Sequence, residues 1–166
     1  SWDWCALAWN PSITVEFILA HPQKLWNMNR VSWNKSVTPK DIQAYPEQQW
    51  DWYALSFNTS ITPDFVLATL NKPWNWQALS CNEVITTEFV MKHPGLPWDW
   101  GALSNNPSIT LEFVTAHLDK KWEWSVFSWN PAFTPEFVMT YPDKPWDWLR
   151  ISRKKSITPK FLWTHL

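Results

Sequence analysis

Glycine is nearly absent, with only Gly95 and Gly101 in 166 residues. That excludes the glycine-rich loops that bring backbone N–H groups against a phosphate. Cysteine is equally scarce: Cys5 and Cys81 stand far apart, so neither a disulfide framework nor a CxxC site fits, and free thiols suit a reducing compartment. Charge is thin as well, at 17% of residues against roughly 25% in an ordinary domain. With 14 Lys+Arg against 15 Asp+Glu and a net charge of -1, nothing in the composition favours nucleic acid. No apolar run approaches the roughly 18 residues of a membrane span, and no charged-then-apolar leader opens the sequence. The expectation is a soluble, untargeted chain that makes no membrane contact.

What the chain has in excess is tryptophan and proline, 17 and 14 residues respectively. Every twenty-fourth residue from Trp2 is tryptophan: Trp2, Trp26, Trp50, Trp74, Trp98, Trp122 and Trp146. A fixed period of this length marks a repeat array in which each unit buries its apolar face against its neighbours. The repeats are 2–25, 26–49, 50–73, 74–97, 98–121, 122–145 and 146–166, expected to form one domain over 1–166, and their positions are numbered here as columns 1 to 24.

Column 13 is threonine in every repeat, from Thr14 to Thr158, and is often followed by proline and an acid, as in Thr62, Pro63, Asp64. Together these read as a helix start: hydroxyl cap, proline at the first helical position, carboxylate at the positive end of the dipole. Ile61 with Val66 and Ile109 with Val114 have the spacing of a hydrophobic staple. This helix is expected to run about seven residues and to stop at the column-21 proline (Pro22, Pro46, Pro94, Pro142). The W-D-W-x-A-L-S-x half reads as a second short helix. Columns 1, 5 and 8 (Trp122, Val126, Trp129) share one stripe, columns 3 and 6 (Trp124, Phe127) another. Asn at column 9, as in Asn34 and Asn58, is the expected stop, in the left-handed conformation. The fold class is therefore all-α, a helical solenoid of two-helix repeats.

The alternative is a leucine-rich-repeat-like or other β-solenoid. Ala54 to Ile61 echo its L-x-L-x-x-N pattern, but the echo fails at column 4, where a buried leucine is needed. The residues there are Cys5, Asn29, Tyr53, Gln77, Gly101, Ser125 and Leu149.

The repeat also resembles a known pattern. W-D-W-x-x-L-S-x-N-P-x-I-T-x-E-F-V is similar, over the whole chain, to tryptophan-rich tandem repeats in proteins of giant DNA viruses. The resemblance implies a repeat-built viral protein in the cytoplasm of an infected cell, or an engineered array derived from one, and implies no catalytic residue. Departures are Met28 for Trp at column 3, Asp41 for Phe at column 16 and Lys154 for Asn at column 9.

No residues converge on chemistry. His21, His93, His117 and His165 share column 20, so they recur along the array as polar helix ends instead of gathering on a metal. Repeated acids such as Asp51, Asp99 and Glu112 read as helix-start electrostatics, and column-7 serines (Ser56, Ser80, Ser104) as small packing residues. No catalytic residue, metal or cofactor is expected. The column-1 and column-3 tryptophans read as repeating core, and Trp9, Trp33, Trp129, Tyr53 and Trp163 as surface aromatics.

Function in a solenoid resides in the columns that vary. Column 4 (Tyr53, Gln77, Leu149) and column 18 (Leu19, Leu67, Met91, Met139, Trp163) are such columns, and the second is more apolar than a solvated surface favours. They form the candidate binding face of a non-enzymatic protein-interaction scaffold. A structural element stacking end to end through Trp2, Trp4, Leu7 and Trp9 is the first alternative, since that repeat lacks the polar residues (Arg150, Arg153, Lys154, Lys155) of the last. A single-stranded nucleic-acid reader is the second. One further expectation concerns repeat two, where Arg30 and Asp41 both depart from apolar columns and are expected to pair.

Overall fold

The computed structural model describes residues 2–165 and the side chains of 2–163; the column-20 side chain of His165 and the chain end at Leu166 lie outside the described residues. Among the described residues there are fourteen short α-helices and no strand. The chain is all-α, built of helix pairs, and the β-solenoid alternative lacks its strands. The first helices of the pairs are α1 (Trp4–Leu7), α3 (Met28–Trp33), α5 (Trp52–Phe57), α7 (Trp76–Cys81), α9 (Trp100–Leu103), α11 (Trp124–Phe127) and α13 (Trp148–Ser152). The second helices are α2 (Val15–Ala20), α4 (Pro39–Ala44), α6 (Pro63–Ala68), α8 (Thr87–Lys92), α10 (Leu111–Ala116), α12 (Pro135–Thr140) and α14 (Pro159–His165). Two compact units meet in the sequence at Val84 and Ile85, the first holding α1–α7 and the second α8–α14.

Both helices start where the caps are. Column 2 caps the first helix: Asp51 Oδ1 accepts the Ala54 N–H at 2.9 Å, Asn75 the Ala78 N–H at 2.7 Å and Asp99 the Ala102 N–H at 2.8 Å. The first helix therefore begins at column 3 and, at four to six residues, is shorter than the seven or eight read from sequence. Thr at column 13 caps the second helix, Thr62 and Thr110 taking the N–H of Phe65 and Phe113 at 3.3 and 3.2 Å. That helix ends at column 19, one residue early, with column 20 as its C-cap. Helices of four to seven residues are unstable alone, so contacts between repeats must hold them.

The core follows column 6 of the first helix and the stapled column 12. Val31, Leu55, Leu79, Leu103 and Phe127 at column 6 and Val37, Ile61, Ile85 and Ile109 at column 12 are at most 1% exposed. Column 8 is not part of it. Trp129 is 54% exposed, so the stripe through columns 1, 5 and 8 is not a core stripe; column 5 turns inward beside column 6, and column 8 marks the helix edge.

The column-9 asparagines terminate the first helix, but not as the sequence suggests. Among the described residues none has positive φ. Asn34, Asn58 and Asn82 are extended, with φ of -68, -73 and -74°, and they work through their side chains. Asn58 Nδ2 donates to the Ser32 and Asn34 carbonyls at 3.1 and 2.9 Å, while its Oδ1 accepts the Ser60 N–H at 2.9 Å. The same three bonds recur at Asn34 and at Asn130. Each amide thus ties its repeat to two carbonyls of the one before. Column-7 serine completes the tie: Ser56 Oγ donates to the Trp52 carbonyl at 2.6 Å and accepts the Asn75 N–H of the next repeat at 3.0 Å. These serines are 0% exposed from Ser32 to Ser128. They are buried hydrogen-bonding groups as well as small packing residues.

Arg30 and Asp41 do not pair. Asp41 sits three residues into the turn begun by Thr38 and accepts the Thr38 N–H at 2.8 Å and hydroxyl at 2.6 Å, while Arg30 Nη1 donates to the Cys5 carbonyl at 3.3 Å. Column 16 is the N3 position of the second helix, so a short acid there finds a local cap at no cost in desolvating an ion pair.

A row of tryptophan-walled grooves

Column-1 tryptophan closes each repeat boundary. Trp50, Trp74, Trp98, Trp122 and Trp146 are 6–7% exposed, and their indole N–H groups donate to the carbonyl five residues back, at 3.0 Å for Trp50 and Trp74 and 2.8 Å for Trp122. Column-3 tryptophan of one repeat meets column-1 tryptophan of the next edge-on, with centroids 5.2 Å apart for Trp4 and Trp26, 4.9 Å for Trp52 and Trp74, and 5.3 Å for Trp100 and Trp122. Column-16 phenylalanine adds a second edge, as between Phe65 and Trp74. The column-3 rings are mostly half-buried, so they are walls and not core as the sequence reading had them.

Between the second helices these walls leave grooves. In the first unit, Ile18, Leu19, Pro22, Lys24, Trp26, Met28, Tyr45 and Gln48 enclose about 390 Å³. At the following boundary Ile42, Gln43, Pro46, Trp50, Trp52, Phe65, Thr69 and Lys72 enclose about 160 Å³. In the second unit, Val90, Met91, Pro94, Trp98, Trp100, Phe113, His117 and Lys120 enclose about 330 Å³. The columns recur: 17, 18 and 21 of one repeat, then 1, 3, 20 and 23 of the next, joined by column 16 where it is phenylalanine. A fourth groove, about 250 Å³, uses Val138, Met139, Trp148 and Phe161 from the same set.

Three of the four grooves have a lysine at the edge, Lys24, Lys72 and Lys120, and Lys144 repeats their contact with tryptophan without lining a groove. Lys24, Lys72, Lys120 and Lys144 at column 23 hold their ammonium groups 4.9, 5.6, 5.6 and 5.1 Å from the ring centroids of Trp4, Trp52, Trp100 and Trp124. No carboxylate lines any of the four grooves. Lys120 also meets Asp119 at 3.0 Å, and its hydrogen bond holds that carboxyl below the usual value.

The column-18 residues named from sequence divide. Leu19, Met91 and Met139 line the grooves; Leu67 is half-buried and Trp163 is 85% exposed, and neither lines one of the four. Column 4 lies elsewhere. Tyr53 and Leu149 are 53% and 68% exposed and Gln77 is exposed, all on first helices away from the grooves. Tyr53 stands edge-on to Trp33 and Phe57 in a surface cluster where Trp9, Trp33 and Phe57 stack at 6.3 and 5.3 Å. Of the proposed self-association face, Trp2 and Trp9 are 75% and 50% exposed, and Trp4 and Leu7 half-buried.

Column-20 histidines behave as helix ends. The Nδ1–H groups of His21 and His117 donate to the Phe17 and Phe113 carbonyls at 2.8 and 2.9 Å, and both rings lie against those phenylalanines. The basic residues of the last repeat fold back on aromatics: Arg150 covers Trp129 at 3.0 Å and Lys154 covers Phe133 at 4.2 Å. Burial, and then the charge of Arg150, push the Lys154 ammonium below its ordinary value.

Sequence reasoning missed the column-3 and column-23 pairing. A signal was there in four repeats: Lys24, Lys72, Lys120 and Lys144 accompany Trp4, Trp52, Trp100 and Trp124, whereas Gln48 accompanies Met28 and Leu96 accompanies Trp76. Compared with known protein families, curated proteins and solved structures, the chain matches none. Among the described residues no helix is long and apolar enough to cross a membrane.

Proposed function

We propose that the chain is a non-enzymatic repeat scaffold for protein–protein interaction, its partner lying across the grooves between second helices. The observation that carries this reading is the recurrence of one tryptophan-walled groove at two neighbouring repeat boundaries of the first unit and again in the second, with a variable column-18 residue on its lip. A constant frame with a variable lip is how a repeat protein changes specificity without changing its core. Apolar clefts edged by a few polar groups are what side chains of a bound segment need. The resemblance to giant-virus repeats adds that the array works in the cytoplasm of an infected cell.

Selection of a random peptide library on the intact chain tests the reading. Ligands are expected, and Met91→Glu or Met139→Glu, both exposed lip positions, should weaken those lodged in the second unit by about tenfold or more. A selection that yields no ligand, or only ligands indifferent to every groove substitution, would sink it.

End-to-end association is the second reading. Its support is Trp2, 75% exposed where its column-1 counterparts from Trp50 to Trp146 are 6–7%. Sedimentation across a wide concentration range tests it, a monomer throughout being the adverse result. Nucleic acid fits less well, because the column-8 rings of the first unit, exposed at Trp9 and half-buried at Trp33 and Phe57, take one another as stacking partners.

A further inference from the structure

The two neighbouring grooves of the first unit carry more detail than the scaffold reading uses. One is flanked by Lys24 and the other by Lys72, and both ammonium groups rest on tryptophan rings. The ion pairs among the described residues, Lys92 with Glu88 and Lys120 with Asp119, involve neither of them. A Lys held over an indole keeps its charge and its three N–H donors while its position is fixed. Between these cations the lining is apolar or neutral, with Leu19 and Met28 in one groove and Trp52 and Phe65 in the other.

We infer that this pair of grooves binds an extended acidic peptide, two apolar side chains of which enter the grooves while flanking carboxylates reach Lys24 and Lys72. The inference rests on the scaffold reading and names the chemistry of its ligand. Charge complementarity selects the acid, since every charged side chain lining the two grooves is a lysine. Spacing selects the backbone. Packed helix layers are about 8 to 10 Å apart. A β-strand repeats its facing side chain every two residues, about 6.8 Å, which falls short. A polyproline II segment repeats every three residues, about 9.3 Å, which matches. The anchors are therefore three residues apart, the larger in the 390 Å³ groove and the smaller in the 160 Å³ groove.

The test is fluorescence anisotropy of the whole chain with a labelled peptide carrying two leucines three residues apart, prolines between them and two glutamates at each end. A second peptide has lysine for each glutamate. The acidic peptide should bind about tenfold tighter or better, and the difference should shrink as salt rises from about 50 mM to about 500 mM, where screening is nearly complete at these distances. Lys24→Glu with Lys72→Glu, the first half-buried and the second exposed, should invert the preference. Equal binding of the two peptides, or a preference that the double substitution leaves unchanged, overturns the acidic ligand and leaves the scaffold standing. Binding of neither peptide also overturns it, and the scaffold falls with it only if the library selection fails too.

Discussion

Repeats two and three differ at columns 3, 16 and 23, which wall the groove in the third, and share the tryptophan, serine, asparagine and threonine of columns 1, 7, 9 and 13. Met28, Asp41 and Gln48 stand in the second repeat where Trp52, Phe65 and Lys72 stand in the third. The consequence is visible at the column-1 ring that follows. Trp74 receives the edges of Trp52 and Phe65, whereas Trp50 receives no such edge from Met28 or Asp41, and the groove lined by Met28 and Gln48 is about 390 Å³ instead of the 160 Å³ of the one lined by Trp52, Phe65 and Lys72. Yet Trp50 is still 7% exposed, and its N–H meets the Tyr45 carbonyl at 3.0 Å, the distance Trp74 keeps to Thr69. Asn34 and Asn58 make the same three bonds. The fold is therefore carried by a polar frame common to both repeats, and the aromatic face is free to change.

The largest effect should come from the frame. Asn34→Ala and Asn58→Ala each leave one carbonyl (Ala8 or Ser32) and one N–H (Ser36 or Ser60) without a partner, and strip a second bond from a carbonyl that keeps its backbone N–H (Asn10 from Ile13, Asn34 from Val37). Each should cost about 3 to 5 kcal/mol in urea unfolding, and the two values should agree within about 1 kcal/mol. A twofold difference between them would break the claim that the frame is shared. Exchanging the face is next. Trp52→Met should cost about 1 to 2 kcal/mol, the sum of an edge contact with Trp74 and the cation seat of Lys72. Met28→Trp should stabilise, since the wider groove has room for the ring; a loss of stability there would show that groove to be fixed in its open form. Smaller again is Asp41→Ala, about 1 kcal/mol for a lost cap. A loss of several kcal/mol, matched by Arg30→Ala, would revive the ion pair that the geometry rejects. Lys72→Gln, which copies Gln48, should cost only about 0.5 kcal/mol in unfolding, as expected of an exposed cation on an indole.

These differences also explain what the sequence disclosed. Thr62, Pro63 and Asp64 act within one turn, so their meaning is local and legible, and the column-2 acids are legible for the same reason. Asn58 is not, because its partners are carbonyls in the preceding repeat; its recurrence marked it as structural, but only the stacking of repeats shows that it works through its side chain. Asp41 misled for the opposite reason. An acid in an apolar column looked as if it required a distant cation, and the nearer solution lay three residues back at Thr38. Of the grooves, column 18 was legible as an apolar variable lip. The tryptophan wall and its lysine were not, because a ring that is half core and half surface has the same periodicity as one fully buried.

The asparagine tie has a direction, and direction matters to a chain made from its amino end. Each amide in these ties reaches for carbonyls already synthesised, never for ones still to come. As the polypeptide leaves the ribosome, every new repeat of a unit finds its acceptors waiting and can dock on arrival, so assembly proceeds in step with translation. Refolding from denaturant carries no such order, since a repeat protein can nucleate anywhere. Arrays released from the ribosome should therefore reach the native state with fewer misregistered intermediates than arrays diluted from urea.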